Sequence, residues 1–339
     1  MKKSLVFIIG FLVFLTAVFI VLGLLFDKEE NEKQAGLTDI YDVSSEGSIA
    51  YVVYEKGQAN LYLDGQKQSI VQLSVEKSIV DVEFSKDDKY LAFAVSDKDL
   101  EKNNNTDIHI IQLDSLEDQL VYSIDALITE LAFDPKDSER LFYLQAGTFT
   151  NYSPIAAKYP HGFDVYSYHL GEQTHTQHTD LKKYSMASLQ VSSDDELVYV
   201  QMDDDEGTQS AEEAFSTNQR IFEIPLDDPN EKSVVSSSEK AEDIFDFIVL
   251  PERQEFIYQA VAGTGENGIY EYELFTFNWK TNKTEQLTTL KESVSKPVRG
   301  SDDKIYFMVD REFGSRTPDY HLFRIDVAGK KLEEIPLDY

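Results

Sequence analysis

One segment, residues 79–113 (IVDVEFSKDDKYLAFAVSDKDLEKNNNTDIHIIQL), recurs in altered form along the chain. A repeat of that length narrows the possible folds more than any bulk property does. Within it, Val80, Val82 and Phe84 alternate with Asp81, Glu83 and Ser85, the period of a strand with two different faces. Ser85 to Lys89 is polar and turn-prone, because Ser and Asp side chains bond to nearby backbone groups. Tyr90 to Val95 is apolar on both sides, as in a strand covered on both faces. A polar loop from Asp97 to Thr106 leads to a third strand at Ile108–Ile111 and a fourth at Leu120–Ile124. Four antiparallel strands in about 45 residues make one propeller blade.

Aligned on the first apolar residue after the turn, the copies begin at Ile49, Tyr90, Leu141, Leu197, Phe256 and Ile305. Their spacings are 41, 51, 56, 59 and 49 residues. The turn itself recurs as Ser44–Gly47, Asp134–Asp137, Ser192–Asp195 and Gly300–Asp303, with a divergent copy at Pro251–Gln254. Six copies predict six blades.

The residues also carry a family resemblance. FSKDDKYLAF at 84–93 followed by TDIHIIQLDS at 106–115 resembles the TolB-type propeller repeat, as does NKTEQLT at 282–288. The resemblance covers roughly residues 38–339. Where that repeat has a turn glycine, this chain has Asp88, Asp195 and Asp303, and keeps the glycine only as Gly47. The family includes binding scaffolds and the propeller halves of serine peptidases, so it implies a fold and not an activity.

The expected class is all-β: a six-bladed β-propeller of four-stranded antiparallel blades over residues 37–339, preceded by one N-terminal transmembrane helix. Leu5 to Phe26 is a run of 22 residues without a charge, behind Lys2 and Lys3. At about 1.5 Å per residue it would reach roughly 33 Å, the thickness of a bilayer core. It is longer than the apolar part of a cleaved signal. This predicts a cytoplasmic stub and signal-anchor at 1–26 and a charged juxtamembrane stalk at 27–36. By the positive-inside rule, the propeller would lie outside a cell membrane crossed once.

Three long loops are expected between second and third strands: Gln145–Gly162, Asp203–Gln219 and Asp310–Asp319. In an up-and-down sheet those connections leave on one side, and elaborated loops on a rigid scaffold carry function. Phe149, Tyr152 and Tyr159 in the first, and Arg311, Phe313 and Arg316 in the last, are the candidate binding residues. Asp81, Glu130 and Lys296 fall on innermost strands and are candidates to line the channel, or to pair across blades.

Sixty-two acids against 31 bases leave a formal charge of −31, which excludes nucleic-acid binding. The chain has no cysteine, so it forms no disulfide and uses no thiol chemistry. Asp203–Gly207 lacks the alternating spacing of a calcium loop. His175 and His178 are three apart on a strand and face opposite ways, so no metal site is predicted. No G-x-S-x-G elbow occurs. Gly263–Gly268 matches G-x-G-x-x-G but joins two strands, which makes it a turn. With no catalytic constellation and no cofactor motif, the expected role is a membrane-tethered extracytoplasmic scaffold, not an enzyme, holding a protein or envelope polymer. The alternatives are a lyase or glycoside hydrolase using channel carboxylates, and a sensory ectodomain for a partner membrane protein.

Overall fold

The computed structural model describes residues 2–26, 30–100, 103–148, 160–193, 196–208, 217–236, 243–265, 268–300 and 303–339. After an N-terminal helix α1 (Lys2–Phe26), the described elements are almost entirely strands in antiparallel meanders. The first sheet is β1 (Gly36–Val43), β2 (Ile49–Glu55), β3 (Gln58–Leu63) and β4 (Val71–Gln72). The second is β5 (Lys77–Phe84), β6 (Tyr90–Asp97), β7 (Thr106–Gln112) and β8 (Glu117–Ile124). The third is β9 (Leu127–Asp134), β10 (Asp137–Thr148), β11 (His161–His169) and β12 (Thr174–Gln177). The fourth is β13 (Met186–Val191), β14 (Leu197–Asp203), β15 (Gln219–Pro225) and β16 (Ser233–Val234).

The remaining strands form one eight-stranded sheet built from two further meanders. These are β17 (Phe245–Leu250), β18 (Glu255–Thr264), β19 (Tyr270–Asn278) and β20 (Lys283–Gln286), then β21 (Ser293–Arg299), β22 (Lys304–Asp310), β23 (Tyr320–Asp326) and β24 (Glu333–Ile335). A single parallel pair, Tyr272 with Ser293, joins them.

The second strand of each meander is buried on both faces, which is why those strands read as continuous apolar runs. The core is divided accordingly into layers between consecutive sheets. Ala50, Val52 and Leu61 of the first sheet meet Ile79, Leu91 and Phe93 of the second. Ala92 and Ile108 meet Leu141 and Tyr143 of the third. The last layer joins the two ends of the chain: Tyr41, Tyr51 and Tyr62 pack with Tyr306, Met308 and Leu322. First strands touch in cyclic order, β1 to β5, β9, β13, β17, β21 and back to β1, so they surround a central axis.

Each first strand carries a register irregularity. The breaks fall between Leu37 and Tyr41, Ile79 and Asp81, Ile128 and Glu130, Ala187 and Gln190, Phe245 and Phe247, and Ser295 and Val298. Bulges re-aim side chains locally, and these turn polar residues toward the axis.

Two expectations are corrected. Among the described residues no helix is long and apolar enough to cross a membrane. The transmembrane anchor, and the single-pass cell-membrane localisation built on it, are therefore not supported. The expected loop at Gln145–Gly162 is also shorter, because Gln145, Ala146 and Thr148 pair with Asp164, Phe163 and His161 as strand. Backbone pairing carries β10 and β11 beyond the last apolar side chains, which are all that a hydropathy pattern registers.

Candidate functional site

The bulged inner strands enclose a chamber of about 130 Å³. Asp39, Asp81, Glu130, Asp246 and Lys296 line it, one from each of five inner strands, and the sixth supplies Ser188. A second cavity of about 490 Å³ lies at the ends of the same strands; it shares Asp42, Glu83 and Gln190 with the chamber and is also lined by Ser45, Lys86 and Arg299. That wider mouth lies among the turns from first to second strands. The long loops β10–β11, β14–β15 and β22–β23 join second to third strands, and so leave from the other end of the sheets.

Most of the channel acids have a structural bond. Asp42 accepts the Phe84 N–H at 2.7 Å and Asp81 accepts the Leu131 N–H at 2.7 Å. Glu130 accepts the Leu189 N–H at 2.8 Å, and Asp246 accepts the Lys296 N–H at 3.1 Å. Each bond runs from one inner strand to the next. Burial is the main influence on these groups. It pushes the Asp81 carboxyl up to about 8, helped by the Glu130 charge, and Asp42 up to about 7. It also raises Asp39, Glu83 and Glu130, against the partial opposition of Lys296 for Asp39 and Glu130.

Lys296 is the cation of this ring. Its Nζ lies 3.4 Å from Asp246 Oδ1, and its carbonyl accepts the Tyr41 hydroxyl at 2.7 Å. Asp246 above all holds the ammonium charged well beyond its ordinary range, which removes it as a neutral amine nucleophile. Lys296 and Ser188 both sit in the left-handed region, at φ 52° and 56°. For non-glycine residues that is strain retained only where the surroundings enforce it. Here the bulges enforce it.

Of the residues named from sequence, the structure brings Asp81, Glu130 and Lys296 together in this chamber. Asp39, Asp42, Glu83 and Asp246 were missed. A signal existed: Asp39, Asp81, Glu130, Ser188, Asp246 and Lys296 stand nine to eleven residues before Ile49, Tyr90, Leu141, Leu197, Phe256 and Ile305 respectively.

Phe149, Tyr152 and Tyr159 lie outside the described residues. Arg311 is held locally: its guanidinium bonds Glu334 at 2.8 Å, stands 4.0 Å from Glu292 and lies over the Phe323 ring at 5.6 Å. Phe313 is 42% exposed and meets Tyr272 edge-on at 5.5 Å. A Cβ on Gly314, at φ 82°, would stand 2.9 Å from Ile269 Cδ1, so the β22–β23 turn lies tightly on the β18–β19 loop. A cleft of about 340 Å³ runs between them, lined by Tyr270, Lys291, Glu292, Arg311 and Phe313. Arg316 is exposed in the same turn.

Among the described residues no group of three or more His, Asp or Glu is placed to hold a metal. His175 bonds the Tyr143 hydroxyl at 2.9 Å and His178 the Ser167 hydroxyl at 2.8 Å. In the acidic run, Asp205 pairs with Lys183 and Glu206 with Lys232. Gly265 and Gly268 close a turn between β18 and β19.

No family model matches the chain, and no curated protein does. Solved structures do. TolB from Acinetobacter baumannii superposes with a TM-score of 0.54 at 13% identity, over 91% of this chain and 65% of that one. The fold is a TolB-like β-propeller. An oligogalacturonate lyase in complex with manganese shares this propeller fold at a TM-score of 0.57 and 13% identity, over 88% of this chain and 77% of that one. A prolyl endopeptidase aligns at 0.52 and 16%, over 90% of this chain. This chain spans half of the prolyl endopeptidase chain and 65% of the TolB chain. Such likenesses carry the propeller architecture alone.

Proposed function

We propose that the chain is a six-bladed propeller acting as a non-catalytic scaffold that binds a protein or polymer. The six-blade reading rests on the cyclic contacts of the six first strands, with β17–β20 and β21–β24 counted as separate blades. The scaffold reading rests on one observation. Asp42, Asp81, Glu130 and Asp246 accept backbone N–H groups of the neighbouring strand, so they are engaged in closing the ring. A general acid or base needs a carboxyl free to face substrate. The binding surface in this reading is the loop-rich end, where the exposed Tyr270 and Phe313 flank Arg311.

A second reading has one specific support: the Asp81 carboxyl, at about 8, is protonated near neutrality and could donate a proton. Solved propellers of this fold include a lyase and a peptidase. The two readings separate in one experiment. The purified protein is incubated with oligogalacturonate and with proline-containing peptides, alongside the Asp81→Asn variant. Partners retained by the wild type are compared with those retained by a Phe313→Ala, Arg311→Ala double variant. The scaffold reading expects no turnover, and a stoichiometric partner lost from the double variant. Turnover abolished by Asp81→Asn would overturn it.

A further inference from the structure

The outermost strand of a propeller blade is an unpaired edge, and five of the outer strands here are short. β4 and β16 have 2 residues, β24 has 3, and β12 and β20 have 4. The exception is β8, with 8 residues. Its sheet partner is β7, and its other edge ends the sheet. A long free edge is a template for another strand, which native proteins usually shorten or cover.

This edge is held rigidly. Val121, Tyr122 and Ile124 pack against the layer shared with the third sheet. Asp118 bonds His109 at 2.9 Å, and Ser123 bonds Asp107 at 2.5 Å. Rigid presentation lowers the ordering entropy lost on docking. The bulge at Val121 leaves Glu117, Asp118, Gln119 and Leu120 as one regular, exposed run, with Leu120 53% exposed.

The charge on this edge selects the occupant. Asp114, Glu117, Asp118 and Asp125 lie on or beside β8, and no Lys or Arg occurs between Lys102 and Lys136. A second copy of this chain would bring its own acids, and 31 net negative charges, against them. We propose that the β8 edge takes an extended, lysine- or arginine-bearing segment of a partner protein by strand addition. Main-chain hydrogen bonds to the free edge supply affinity, and alternate basic side chains facing Glu117 and its neighbours supply specificity. This site is distinct from the loop-rich end and does not depend on the scaffold reading placed there.

The test uses the full chain and a labelled Lys-Val-Lys-Val-Lys-Val-Lys-Val peptide, with the Glu-for-Lys peptide as its counterpart. Anisotropy should show binding of the basic peptide alone. Hydrogen exchange should slow at residues 117–124 and not at the other outer strands. A Glu117→Lys, Leu120→Lys double variant should weaken binding at least about tenfold. Glu285→Lys with Gln286→Lys makes the same charge change on β20 and should leave binding within about twofold. Equal weakening by both pairs would reduce the interaction to bulk charge and overturn the proposal. So would protection outside β8, binding of the acidic peptide, no binding by either peptide, or self-association of the chain through this edge.

Discussion

The Asp81 carboxylate accepts the main-chain N–H of Leu131 at 2.7 Å, so an acid that faces the channel also ties the second sheet to the third. The same arrangement recurs from Glu130 to Leu189 and from Asp246 to Lys296. These bonds add directional links to the apolar layers between sheets at the propeller's narrowest radius. Each such bond contributes about 0.5–1.5 kcal/mol while the acid is protonated and about 1.5–3 kcal/mol when it is charged.

Stability should depend on pH through these acids. Burial raises the folded-state values of Asp81 and Asp42 to about 8 and about 7, above the ordinary value near 3.8. Between those limits the folded state holds protons that the unfolded state has released, so stability falls as pH rises. The melting temperature should decline from about pH 5 to about pH 8. Lys296, raised in the folded state, loses its contribution only above its ordinary alkaline range and leaves this window unaffected. Asp81→Asn mimics the protonated acid and keeps an oxygen for Leu131. Calorimetry should show a shallower decline for it, with a melting temperature at pH 8 no lower than wild type. An unchanged slope would remove Asp81 from the account.

The turn residue Asp88 sits at φ 53°, where the first copy of the turn has Gly47, and its carboxylate accepts the Ser45 N–H at 2.9 Å. It thereby fastens the second sheet's turn to the first sheet's. Asp88→Gly loses the bond and relieves the backbone, while Asp88→Ala loses the bond and keeps the strain. Ala should therefore be the more destabilising of the two by roughly 1 kcal/mol. Denaturant midpoints that rank them in the opposite order would show that the left-handed conformation is not what this position demands.

Closure between the first and last meanders has its own contact. The Tyr51 hydroxyl donates to the Asp338 carbonyl at 2.7 Å, and Tyr51 stacks on Tyr62 with centroids 5.6 Å apart. Tyr51 is 1% exposed, so Tyr51→Phe preserves the packing and strands one acceptor. The expected loss is about 1 kcal/mol. Tyr51→Ala should cost about 3–5 kcal/mol by analogy with other large aromatic truncations. Urea unfolding of the two variants distinguishes the bond from the packing.

Arg311 spans exposed acids, and exposed ion pairs contribute about 0–1 kcal/mol each. Arg311→Ala, like Phe313→Ala, should leave the melting temperature within about 2 °C of wild type. A larger drop would make this cluster a structural clasp instead of a docking surface.

Strand placement was legible because it depends on local patterns. Ile49, Tyr90 and Leu197, read as starts of second strands, open β2, β6 and β14. Gly47 and Asp88 occupy the same turn position of the repeat, and both have positive φ. The repeat needs only period-two alternation and turn chemistry, both carried within some fifty residues of chain.

The chamber was legible only in part. Asp81, Glu130 and Lys296 could be assigned to inner strands, but Asp39 and Asp246 face the axis because bulges rotate them, and a bulge leaves no mark in hydropathy. Whether those acids are free or bonded depends on N–H groups about 40 to 60 residues away, such as Phe84 for Asp42 and Leu189 for Glu130. The local sequence determined which residues form strands and turns. Only the closed ring decided which carboxylates lose water, which main-chain donors meet them, and that β8 ends its sheet as a long open edge. Burial and hydrogen-bond partners are properties of the assembled sheets, not of the segments that make them.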